Sequence, residues 1–318
     1  WGLIKPFFIE LCTKRIEEAI PEIEITKELF KKTKFSSVVI WSESGFNEQI
    51  VINVAKQNKI KVILLQHGLY WETKENFESN KFEGIFPVDS DKLVVWGEST
   101  KQYVTEVGFS DKIEVLGSTT YDSIFDRKMK NRNQQQDIIL LATSSLVKNE
   151  VFDLTVKTMQ NYEYAIEQVC TIISKLGKKL VIKQHPFQEE LDISNLVKKI
   201  DPKICVVKNG NITSLIESCE VFLTIDFSTT VLEAQILEKP VISIFVKDRL
   251  TNKSPPIFNS NSCIVSTIDN LEKSLNKVLN DKDFKKQIIV NGKKFVDMYL
   301  SNQGSSVQAI LNFLQKFE

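Results

Sequence analysis

The sequence predicts an α/β chain in two parallel-sheet domains, and three observations carry that prediction. From Ser36 onward, short apolar runs alternate with stretches of helical period. Several of these runs stop abruptly on polar residues, as LVIKQHP (180–186) and VFLTIDFSTT (221–230) do, which is how a buried parallel strand ends at the carboxyl edge of its sheet. The polar run KMKNRNQQQ (128–136) breaks the alternation and has no core pattern. It places a first domain over 1–117, a linker over 118–136 and a second domain over 137–318.

Taken in order, the segment Leu3–Lys34 has helical period in two pieces, FFIELCTKRIEEAI and EITKELFKKTK, separated by Pro21. Strand SSVVIWSES follows, then a helix over 47–57, strands over 62–66 and 92–96, a helix over 99–107 and a strand over 113–116. An α/β domain usually opens on a strand, so the helical start predicts an abbreviated domain or a fragment of a longer polypeptide. The missing part would hold much of any acceptor surface and any peripheral membrane attachment. The connection Gly68–Ser90 is long enough to be read as functional or mobile. In the second domain DIILLATSS opens the sheet, a helix spans 152–176, and LVIKQHP, ICVVKN, VFLTIDF and VISIF supply strands. The tail 283–318 is helical except at Gln303-Gly304.

A length of 318 residues suits two cores. Forty-one basic residues balance 41 acidic ones, so no net field draws the chain to nucleic acid or an anionic membrane. No apolar run is long enough to cross a bilayer, and no signal-peptide pattern follows Trp1-Gly2, so the expected address is the cytoplasm. The five cysteines form no CxxC pair or zinc spacing and read as reduced, mostly buried thiols.

The chain has two histidines, His67 and His185, and each follows an apolar strand, one in each domain. Ligands bind at that edge of a parallel sheet. Pro186 biases His185 toward extended geometry and so aims the imidazole, whose donor would stabilise charge growing on a departing phosphate. Lys183, two residues earlier, lies on the same strand face and adds a cation, unless it is only a surface lysine. Ser228, Thr229 and Thr230 stand where the next helix begins, a place suited to phosphate through free N–H groups and the helix dipole. Ordinary helix capping is the structural alternative for these three, and strand capping by a loop is the alternative for the histidines.

The order and spacing of KQHP (183–186) and the Ser/Thr turn resemble the second half of GT-B fold glycosyltransferases of bacterial surface polysaccharides. The resemblance extends to CMP-sugar sialyl and Kdo transferases and to teichoic acid glycerophosphotransferases. It implies two Rossmann-like domains facing a cleft, the second holding the nucleotide. It further implies that Glu233 accepts ribose hydroxyls, that Ser144 and Ser145 belong to a donor-phosphate loop, and that a C-terminal helix latches the halves. QHG (66–68) is similar to a strand-end motif whose histidine is proposed as base, and SESG (42–45) to one whose acidic residue is the base. Either Glu43 or His67 would then deprotonate the acceptor hydroxyl. Glu43-Ser44-Gly45 departs from the usual two consecutive acids.

The implied reaction is transfer of a sugar from a CMP-, CDP- or UDP-linked donor to a glycan or lipid-linked glycan of the capsule or lipopolysaccharide type. No DxD motif stands after a strand, so phosphate charge would be met by His185, Lys183 and the helix start without a metal or other cofactor. Three rivals stay open: a CDP-glycerol-type glycerophosphotransferase, a UDP-HexNAc 2-epimerase-like enzyme and a non-catalytic glycan-binding module. Ser228-Thr229-Thr230 in place of a Ser-Gly-Gly turn counts against the epimerase.

Overall fold

The structure is a computed structural model that describes residues 1–130, 137–144, 156–186, 192–226, 228–246 and 260–317. The chain forms two compact units, 1–119 with 299–318, and 120–298.

The first unit opens on α1 (Lys5–Lys32), one helix that runs through Pro21 where the sequence predicts a break. Pro21 and Glu17, whose carbonyl the proline cannot bond, are both exposed, so the missing hydrogen bond costs little. Then come β1 (Ser37–Ile40), α2 (Phe46–Gln57), β2 (Lys61–Leu65), α3 (Phe77–Phe82), β3 (Lys92–Val95), α4 (Glu98–Glu106) and β4 (Ile113–Val115). The four strands pair in parallel in chain order, with Val38 opposite Val62 and Val95 opposite Val115. The connection over 68–90, read from the sequence as functional or mobile, is packed. It contains α3 and buries Leu69, Tyr70, Ile85 and Phe86 in the core beside Tyr103. Each such side chain contributes about 1.5–3 kcal/mol on burial.

Residues read above as a linker begin instead with α5 (Thr119–Lys130), which buries Tyr121 and Ile124. Their spacing by three is a helical signal that the polar composition concealed. The second unit continues with β5 (Ile138–Ala142), α6 (Val156–Lys175), β6 (Lys179–Lys183), α7 (Ser194–Ile200), β7 (Cys205–Val207) and α8 (Ile212–Ser218). It is completed by β8 (Val221–Ile225), α9 (Thr230–Ile236), β9 (Val241–Ile244), β10 (Ile264–Ser266), α10 (Leu271–Asn280) and α11 (Lys282–Tyr299). All six strands are parallel, in the order β10-β9-β8-β5-β6-β7. Strands β5, β8 and β9 are buried at every position, the two-sided burial that parallel sheets require.

The tail divides on either side of Gln303-Gly304, as the sequence predicts. α12 (Ser306–Leu314) belongs to the first unit and packs Ile310 and Phe313 against Ile63 and Val94 of that unit's sheet. Among the described residues no helix is long and apolar enough to cross a membrane.

Candidate functional site

In the second unit the order of strands reverses around β5, which pairs with β6 on one side and β8 on the other. Crossovers diverge from such a point and leave a crevice at the carboxyl ends of the strands. A cavity of about 330 Å³ lies there, walled by Ala142 and Thr143 at the end of β5, Lys183–Pro186 at the end of β6, Lys208–Gly210 after β7, Ile212, and Ser228–Thr230 after β8.

Backbone pairing carries the walls past the strands. Thr143 N–H donates to the Lys183 carbonyl (3.1 Å), Gln184 N–H to Val207 (3.0 Å) and Asp226 N–H to Ile244 (2.8 Å). The His185 N–H donates to Thr143 Oγ1 at 2.9 Å, which fixes the backbone from which the half-buried imidazole projects. Asp226 turns the chain out of β8 at φ +54°, a left-handed conformation that costs a non-glycine residue about 1–2 kcal/mol. Its carboxylate Oδ1 accepts the Val246 N–H at 3.0 Å, and its carbonyl accepts the Ser243 hydroxyl at 2.9 Å, so packing on both sides holds the turn. Beyond it Ser228 Oγ and Thr230 Oγ1 lie 2.8 Å apart, and the Thr230 N–H points at Ser228 Oγ (3.3 Å).

Lys183 lines the cavity but is 5% exposed, so it is not a surface lysine. Its ammonium donates to the carbonyls of Gln184 (2.7 Å) and Lys208 (2.9 Å), stapling the ends of β6 and β7 together. Burial lowers its pKa. Ser144 is half-buried, its hydroxyl has no hydrogen-bond partner among the described residues, and its carbonyl accepts the Tyr162 hydroxyl at 3.2 Å. Ser145 lies outside the described residues.

Glu233 stands one turn into α9 and is not among the residues lining the cavity, so the structure does not place it where a ribose contact was expected. Its Oε2 accepts the Thr213 hydroxyl at 2.9 Å. Burial raises its pKa, and the Thr213 hydroxyl only partly opposes this. A carboxyl whose folded pKa is raised adds stability that is complete below its ordinary value of 4.5 and is lost as pH rises through the folded value. Relative to Glu233→Gln, the parent should therefore lose stability from about pH 4.5 upward and then level off, as read from urea midpoints across pH.

In the first unit His67 follows β2 and is exposed, its ring edge-on to Tyr70 at 6.0 Å. Gln66, buried to 4% exposure, fixes the backbone on both sides of it. Its Nε2 donates to the Gly68 carbonyl at 2.9 Å, its Oε1 accepts the Trp96 N–H at 2.8 Å, and its carbonyl accepts the Trp96 indole N–H at 2.9 Å. Glu43 does not present a base at this edge. It is 5% exposed, with Oε1 accepting the Ser90 N–H (2.7 Å) and Oε2 the Asp89 N–H (2.9 Å), so it clamps the entry to β3.

Sequence reasoning missed Gln66, the cavity wall at Thr143 and Lys208–Gly210, and Glu72. The end of ICVVKN at a polar pair was the available signal for the second of these, since β7 shares its carboxyl edge with β6. Among the described residues no group of three or more His, Cys, Asp or Glu side chains could hold a metal ion.

Among solved structures, the S. aureus MnaA–UDP co-structure superposes with a TM-score of 0.66 at 15% identity, over 95% of this chain and 81% of that one. The Methanocaldococcus jannaschii UDP-GlcNAc 2-epimerase, in complex with UDP-GlcNAc and UDP, gives 0.61 at 21% identity, over 95% and 82%. A glycosyltransferase from Rickettsia africae gives 0.55 at 16%, over 94% and 81%. These likenesses show the fold: α/β, with two Rossmann-like domains of the GT-B type. A search of curated proteins finds no match. Residues 6–259, well over half of the sequence, match the LIC12162 family transferase, and the chain belongs to that transferase family.

Proposed function

We propose that the protein transfers a sugar from a pyrimidine-nucleotide donor to a glycan hydroxyl. The observation that carries this reading is the cavity at the ends of β5, β6, β7 and β8, which gathers His185, Ser228, Thr229 and Thr230 at one parallel-sheet edge. Those groups suit a diphosphate: the imidazole donates to the oxygen that gains charge as the nucleotide leaves, and the hydroxyls receive the rest. Such a site works without a metal. UDP in the MnaA and M. jannaschii structures favours uridine for this chain among the three pyrimidine donors. In the first unit, exposed His67 is the group proposed to take the acceptor proton.

A second reading is supported by the same neighbours: a 2-epimerase acting on a UDP-HexNAc with no acceptor. Incubation with UDP-GlcNAc alone separates the two, since only the epimerase converts it to a UDP-linked epimer.

Thermal unfolding in the presence of CMP, CDP, UDP and GDP tests the donor site. A nucleotide at about 100 times its Kd should stabilise the parent by about 2.7 kcal/mol, raising Tm by about 5–10 °C. His185→Ala should lose most of that shift while keeping its own Tm. No response to any nucleotide, or an undiminished response in the variant, would overturn the reading.

A further inference from the structure

Glu72 lies on the loop behind His67, half-buried, and makes no ion pair among the described residues. Its carboxylate accepts three hydroxyls. Ser99 donates to Oε2 at 2.8 Å, while Thr100 (2.5 Å) and Tyr299 (2.9 Å) donate to Oε1. Ser99 and Thr100 stand in the first turn of α4, and Tyr299 is the last residue of α11, where the chain rejoins the first unit. Burial raises the pKa of Glu72 against the pull of those hydroxyls. Tyr299 is 1% exposed and meets Trp96 edge-on at 6.4 Å, and Trp96 is the residue that grips Gln66. Downstream, Asn80 donates to the Trp71 carbonyl (3.0 Å) and Tyr103 to Thr73 (3.2 Å), so Glu72 sits between anchored neighbours.

A desolvated carboxylate without a counter-ion costs stability, and an apolar side chain would fill the same space more cheaply. What a carboxylate adds is an acceptor for three hydroxyls from two separate segments at once. We propose that Glu72 is a positioning residue for His67, its carboxylate binding the loop that carries this imidazole to α4 and to the segment entering at Tyr299. Its catalytic consequence rests on the reading of His67 as base; its geometric consequence does not.

The chain has only two imidazoles, so its histidine Cε1–H NMR spectrum should hold two signals, assigned with His67→Asn. Glu72→Ala should move or broaden the His67 signal and leave that of His185 in place. With the active donor, kcat should fall about 10- to 100-fold while KM stays within about twofold, as expected for a displaced base. Glu72→Gln keeps one oxygen for Thr100 and Tyr299, reverses the Ser99 contact so that its NH₂ donates to the hydroxyl, and should fall between parent and alanine. An unmoved His67 signal in folded Glu72→Ala would overturn the proposal, whereas a moved signal with an unchanged kcat would overturn the reading of His67 as base. Should that variant unfold, Ser99→Ala with Thr100→Val removes two donors while sparing the carboxylate; it should displace the same signal, and an unmoved signal would again overturn it. UDP added to the parent reads the donor site separately through the His185 signal, so a silent His185 beside a responsive His67 sinks the donor reading and leaves this one standing.

Discussion

Gly117→Ala is expected to lower the stability of the first unit by about 2–5 kcal/mol, the sum of a left-handed backbone penalty and overpacking against atoms that cannot retreat. Gly117 has φ +85°, and a Cβ there would come within 2.2 Å of the Ser301 carbonyl oxygen and 2.4 Å of Ser306 Oγ. Neither neighbour is loose. The Ser301 N–H donates to the Trp96 carbonyl at 2.7 Å, and Ser306, 1% exposed, donates to Asn302 at 3.0 Å. Gly108 supplies the control, because its φ is +103° but nothing lies within 4 Å of its would-be Cβ. Gly108→Ala should show the backbone penalty alone, about 1–2 kcal/mol. Hydrogen exchange of β2, β3 and α12 reads the difference locally; equal losses in the two variants would mean that the contact with the returning segment is not tight.

The second large effect is expected at Glu43. Glu43→Ala removes the acceptor of two backbone N–H groups at Asp89 and Ser90 and should cost about 3–5 kcal/mol, since each orphaned buried donor costs about 1–3 kcal/mol. Glu43→Gln is the sharper test. Its amide offers one oxygen, and its NH₂ would face a donor, so much of the loss should remain. A base would behave differently: the glutamine variant would keep its denaturation midpoint and lose only rate. Urea unfolding of the two variants decides between these outcomes, and parental stability in Glu43→Gln would restore the catalytic assignment.

These two positions show where sequence reasoning stops. β5, β6, β8 and β9 were legible because a parallel strand buried on both faces is an unbroken apolar run, and their polar ends mark the functional edge. That logic reached Lys183, His185 and Ser228–Thr230, all of which line the cavity. It could not tell a carboxylate poised for proton transfer from one whose oxygens are held by amides 46 and 47 residues away, as Glu43 is. Glu72 was hidden for the same reason, since its Tyr299 partner lies 227 residues on. The packing of 68–90 was not legible because Leu69, Tyr70, Ile85 and Phe86 follow no period, yet all four are buried. α5 was taken for a linker because Tyr121 and Ile124, both buried, stand among polar and charged neighbours.

The placement of α12 on the first sheet also has a bearing on biosynthesis. The unit formed by 120–298 is contiguous, whereas the other is completed by 299–318, which follow the second unit in the chain. Until these are made, Ile63 and Val94 lack the cover of Ile310 and Phe313. Vectorial synthesis ordinarily lets the amino-terminal domain mature first; here the first unit's sheet receives its cover from α12 only after the whole of 120–298 has been made.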